Sequence, residues 1–143
     1  MTMNPYKAQQ AYKTTSIQTA SQGRLVVMLF EGAIKFMNQF AEATKARKIE
    51  EAHNNSMKAQ RIMTELILAL DHSKGEEISR IIARAYEEIR VRMITANIRK
   101  DVAMVEEIVK DLDAFRTTWN EVFKKVEVNV ESPKTQSGVS IKT

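Results

Sequence analysis

An all-α fold is what this sequence predicts, on three observations: glycine and proline are scarce, apolar residues recur at helical spacing in four stretches, and short connections join those stretches. Four glycines and two prolines in 143 residues come to about a third of ordinary usage, so tight turns must be few. Both prolines, Pro5 and Pro133, lie near the ends, and Gly75 is the only glycine between Gly32 and Gly138. Helix-compatible chain therefore runs on either side of one break. The composition, 43% hydrophobic and 28% charged, is globular, and the length suits a single core.

The first helix is expected to open behind Ser21 as its N-cap and to bury Val26, Phe30, Ala33, Met37 and Phe40, which recur at alternating steps of four and three. It should end near Ala46. The second carries Ala52, Ser56, Ala59, Met63, Leu66 and Leu70 with the same alternation and stops at the turn signal Asp71-His72-Ser73-Lys74-Gly75. The third carries Ile78, Ile82, Ala85, Ile89, Met93 and Ala96. A short connection over Asn97 to Asp101 follows, with Asp101 placed to cap the next helix. The fourth carries Val105, Ile108, Leu112, Phe115, Trp119, Val122 and Val126, after which serine, threonine, proline and glycine dilute the apolar content. Short turns make neighbouring helices antiparallel, so the expected architecture is an up-down-up-down four-helix bundle over residues 21–127. Residues 1–20 are expected to form an N-terminal lid segment, and residues 128–143 a flexible, disordered tail.

Several function classes are excluded by what the chain lacks. Its longest apolar run, Leu25 to Phe30, has six members, against roughly 18 for a bilayer span, so no stable membrane insertion is expected. No signal-peptide pattern opens the chain and no cysteine occurs, which fits a cytosolic address. The 22 basic and 18 acidic residues leave a net charge of +4, too little to require nucleic acid. Arg90, Arg92, Arg99 and Lys100 do cluster, but without aromatics for stacking or a recognition helix they read as a solvated helix end. Glu50 and His53 form one Glu-x-x-His pair, whereas a di-metal bundle site needs two, and His72 has no acid three positions before it. No metal, cofactor or catalytic residue is expected, and the absence of a glycine-rich phosphate loop or a Gly-x-Ser-x-Gly motif argues against an enzyme.

The excess of apolar residues is the positive signal. At 100° per residue Leu25 to Phe30 surround the first helix, more than one core stripe requires. A second face emerges from Leu25, Met28, Leu29, Gly32 and Phe36, with Gly32 giving room for a backbone to approach. Ile62 and Ile67 extend it from the second helix, and Ala59, which the core stripe also claims, lies beside Ile62. Six of the eight methionines fall inside helices and supply adaptable apolar surface of the kind that accepts helical peptides. Periodicity leaves two coverings open: the chain's own opening residues, with Tyr6, Tyr12 and Ile17, or a partner.

At these residues a resemblance appears. Asn4-Pro5-Tyr6 leading to Tyr12, then Ile17-Gln18-Thr19-Ala20-Ser21, then Leu25 to Ile34 with its Met-Leu-Phe-x-Gly-Ala block, resemble the opening of the flagellar secretion chaperone family that binds flagellin. Lys58-Ala59-Gln60 with Ile62 and Glu65-Leu66, Gly75 with Glu77-Ile78, Tyr86, Ala96-Asn97-Ile98 with Asp101, and Trp119 follow at similar spacings, so the likeness spans about residues 4–125. Gln22 and Glu88 depart from it, standing where a proline and a second tyrosine are frequent. The resemblance implies a cytosolic bundle, without catalysis, that holds the disordered C-terminal segment of flagellin, prevents premature polymerisation and assists delivery to the flagellar export machinery. Tyr6, Tyr12, Ile17, Leu25, Met28, Leu29, Gly32, Phe36, Ala59 and Ile62 would then be the partner-binding residues. The alternative is a bundle module for another amphipathic helical or anionic partner.

Overall fold

The computed structural model describes residues 18–137. Its helices are α1 (Gln18–Lys45), α2 (Ile49–Leu68), α3 (Glu76–Arg99) and α4 (Val102–Ser137), with a 3-10 turn at His72–Lys74 between α2 and α3. Three boundaries differ from the sequence expectation, one being that α3 runs through Asn97 to Arg99 and leaves only Lys100 and Asp101 of the connection expected over Asn97 to Asp101. α1 begins at Gln18, so Ser21 lies inside the helix rather than capping it; no glycine or proline interrupts Gln18 to Ser21. α4 continues as helical backbone to Ser137, past the Val128 boundary drawn where apolar periodicity fades. Tyr6, Tyr12 and Ile17, with the rest of residues 1–17, and residues 138–143 lie outside the described residues.

The chain divides into a central unit, Met28–Arg116, and a flanking unit made of the residues up to Val27 and from Thr117 onward. The central unit contains a part of every helix. Gly32 of α1 lies against Ile62 of α2 and Phe36 against Lys58, so residue numbers rise on one helix as they fall on the other. His53 of α2 bonds Asn97 of α3, and Arg92 of α3 pairs with Asp111 of α4 at 2.5 Å. Each consecutive pair is antiparallel, as the short loops require.

Three rings from α1, α3 and α4 meet. Phe30 meets Tyr86 edge-on at 5.6 Å, Tyr86 meets Phe115 edge-on at 5.1 Å, and Phe30 stacks on Phe115 at 5.9 Å. Below them Met37, Met63, Met93, Ile108 and Leu112 are buried, and Ala43, Ala52 and Ala96 fill the core near the two tight turns. The expected stripes of α1 and α2 are in the core from Phe30 to Phe40 and from Ala52 to Leu66. α3 is turned differently at its start: Ile78 is 62% exposed and Tyr86, outside the expected stripe, is buried.

Both tight turns use a non-glycine residue in the left-handed region, Arg47 at φ 62° and Lys100 at φ 50°. Each closes the helix with a bond reaching back five residues, Lys48 N–H to the Ala43 carbonyl at 2.8 Å and Asp101 N–H to the Ala96 carbonyl at 3.0 Å. Lys100 offsets some strain, since its ammonium donates to both the carbonyl and the side-chain oxygen of Asn97 at 2.8 Å. Asp101 then caps α4, as the sequence suggests, by accepting from Met104 N–H at 3.3 Å. In the longer turn Asp71 accepts from the N–H and hydroxyl of Ser73. Gly75 takes φ 128°, a conformation that side chains strain against.

In the flanking unit Trp119 stacks on Phe123 at 5.4 Å. Trp119 is half-buried and Val122 exposed, so the core stripe expected through them weakens here. Gly23 is buried, and a Cβ on it would overlap the Phe123 ring.

Urea denaturation checks three consequences. Leu112→Ala, in the fully buried stripe of α4, should lose about 2–5 kcal/mol. Gly23→Ala should lose about 1–3 kcal/mol, because the Phe123 ring must move. Arg47→Gly, by contrast, relieves a left-handed side-chain residue and should raise stability by about 0.5–1 kcal/mol.

Candidate functional site

The sequence singles out a second apolar face on α1, and the structure assembles its central part where α1 meets α2. Leu29, Gly32 and Phe36 recur at three and four residues along α1, and all are half-buried. Their depth comes from Phe30, Ala33 and Met37, which point fully into the core about 100° away round the helix. On the facing side, the Cδ1 of Ile62 lies 3.2 Å from where a Gly32 Cβ would stand. The absent side chain of Gly32 thus leaves space that the tip of Ile62 approaches, a neighbour from within the chain rather than an outside backbone. Met28 adds 56% exposed thioether surface one turn before Gly32.

The remaining candidates fall elsewhere. Leu25 is 55% exposed on α1 within the flanking unit. Ala59 is fully buried, so it belongs to the core and offers a partner no surface. The reason is its register: Ala59 lies four residues before Met63 and seven before Leu66, both buried, whereas Ile62 is about 100° round from Met63.

Two residues of the groove escaped the sequence reading. The ammonium of Lys35 lies 5.8 Å and that of Lys58 5.4 Å from the Phe36 ring centroid, within cation–π range. Only the register between α1 and α2 brings Lys58 to Phe36. Exposed apolar residues also occur outside the groove, with Met57 and Leu68 on α2 and Val91 and Ile98 on α3.

The polar clusters considered in the sequence are engaged internally. Asn97 Nδ2 donates to His53 Nδ1 at 3.0 Å, which commits the nitrogen to accepting and places the neutral ring's proton on Nε2. Among the described residues no three histidine or carboxylate side chains converge as a metal site. Arg90 makes a two-pronged pair with Glu87 at 2.6 and 3.0 Å. That hydrogen bonding lowers the Glu87 pKa and raises that of Arg90. With Arg92 on Asp111 and Lys100 on Asn97, three of the four clustered cations have a partner in the chain.

Comparison with known proteins agrees with this architecture. A solved structure described as a flagellar chaperone from bacteria superposes with a TM-score of 0.71, covering 85% of this chain and 99% of that one, at 19% identity, a likeness of fold. The flagellar secretion chaperone FliS of Bacillus subtilis (strain 168) is 32% identical over 121 residues, 85% of this chain and 87% of the relative. FliSB of Pseudomonas aeruginosa is 28% identical over 122 residues, 82% of this chain and 97% of the relative. The family model for the flagellar protein FliS matches residues 3–126, and the chain belongs to that family.

Proposed function

We propose that this chain is a cytosolic export chaperone for flagellin: it holds the disordered C-terminal segment as an amphipathic helix in the groove of α1 and α2, prevents premature polymerisation and assists delivery to the flagellar export apparatus. The observation that carries this reading is the apolar strip Leu29, Gly32 and Phe36 beside Ile62, left half-open next to the stripes by which the two helices face the core. Such a strip is shaped for the i, i+3, i+4 anchors of a client helix. Family membership supports the chaperone role. No catalysis is involved, because masking a sticky segment requires only reversible burial, and the ordering cost of the client keeps release within reach. Among the described residues no helix is long and apolar enough to cross a membrane.

Tyr6, Tyr12 and Ile17, which lie outside the described residues, would be further contacts with the client. The alternative, a module for another amphipathic or anionic partner, predicts that a flagellin C-terminal peptide binds no better than a scrambled one.

Titration with that peptide tests the reading. Phe36→Ala should weaken binding about 10- to 100-fold, the range of a central anchor, with little change in thermal midpoint. Gly32→Leu should remain folded, since helix propensity improves by nearly 1 kcal/mol and the nearest obstacle is the flexible tip of Ile62. Its branched side chain should nevertheless fill the groove and lower affinity. Wild-type affinity in a stable Gly32→Leu protein would remove this face from the site. Truncation after Val128 should leave peptide binding intact, because the sequence beyond it has no periodic apolar face; loss of binding would make that segment a functional arm.

A further inference from the structure

Phe36 is the one groove residue reached by charge from both helices. The Lys35 ammonium comes to it from α1 and the Lys58 ammonium from α2, 5.8 and 5.4 Å from the same ring centroid. Both lysines are exposed, and neither makes an ion pair among the described residues. Two cations on α3 differ in this respect, since Arg90 and Arg92 are each held by a carboxylate.

We propose that Lys35 and Lys58 form a selecting pair that favours a client helix carrying a carboxylate beside the apolar residue it places on Phe36. The proposal rests on the reading of the groove given above and adds to it the charge of the occupant. A helix docked on Phe36 excludes water from the ring and from the two ammoniums lying against it. An apolar client without countercharge would leave two like charges partly desolvated and mutually repelling. A client carboxylate accepts from both and removes that penalty. The pair therefore discriminates as much by rejecting uncharged or basic amphipathic helices as by attracting acidic ones. Because the ammoniums sit at the rim, the attraction acts mainly on association rate and weakens with salt.

The test uses the full chain and a flagellin C-terminal peptide, with a second peptide in which every Asp and Glu is replaced by Asn and Gln. Lys35→Glu combined with Lys58→Glu should weaken binding of the native peptide by about tenfold or more at low salt, with the difference shrinking at high salt. The amide peptide should bind wild type more weakly than the native one and lose its discrimination between wild type and the double variant. Lys110→Glu, on α4 away from Phe36, is the control for net charge and should stay within about twofold of wild type.

Equal binding by wild type and the double variant at every salt, with binding still lost in Phe36→Ala, would overturn the selecting pair while leaving the groove in place. It would mean that the flexible lysine stems swing into solvent on docking. Failure of wild type to bind the native peptide at all would overturn both the client reading and the proposal. Concentration-dependent dimerisation of the free chain, removed by Phe36→Ala and not by the double charge reversal, would show a second copy as the occupant and overturn the acidic client.

Discussion

The contact of Phe30, Tyr86 and Phe115, with centroids 5.1 to 5.9 Å apart, is the interaction on which the remaining geometry depends. It ties α1, α3 and α4 at one level and fixes how α1 is rotated about its own axis. Once Phe30 points inward, every other side chain of α1 is placed at 100° per residue. Ala33, Met37 and Phe40 follow Phe30 into the core, and Leu29, Gly32 and Phe36 come to lie at the seam with α2. The groove is therefore a geometric consequence of the core, which explains how one helix can carry apolar residues round most of its circumference without disorder.

Much of this was legible in the sequence, for identifiable reasons. The stripe Ala52, Ser56, Ala59, Met63 and Leu66 is legible because it keeps the alternating four-three spacing along α2, which the remaining apolar residues Ile49, Met57, Ile62, Ile67 and Leu68 do not. At the start of α3 isoleucines occupy positions 78, 81 and 82, and periodicity alone allows more than one inward face. The decision is made by Phe30 and Phe115, which draw Tyr86 inward and leave Ile78 at the surface. The same limit applied to the glycines. Gly32 stood out because it interrupts an apolar strip, yet Gly23 is the one with no room for a side chain, and only its pairing with the distant Phe123 reveals it.

The candidate site shows the boundary of sequence reading more sharply. Residues on one helix, such as Leu29, Gly32 and Phe36, are found from spacing. Residues supplied by a second helix require the register between the two. Ile62 is reached by its excess over the core stripe, Ala59 is buried although it stands among the contacts the resemblance implies, and Lys58 is quoted in a motif of the resemblance but not as a contact residue. A lysine acquires meaning only from the ring it approaches.

None of the three core rings belongs to the groove, and this separation has a mechanical consequence. A chaperone that had to loosen its core to receive a client would lose stability with each binding event, since a domain of this size has roughly 5–15 kcal/mol in total. Here the open seam lies over Phe30, Ala33 and Met37, all fully buried and already packed. On the proposed reading, docking can add apolar contact to a preformed surface, so the ordering entropy falls on the client rather than on the bundle. A rigid floor beneath an adaptable rim of methionine, leucine and lysine is an arrangement in which affinity can be tuned by rim substitutions without disturbing the fold that presents them.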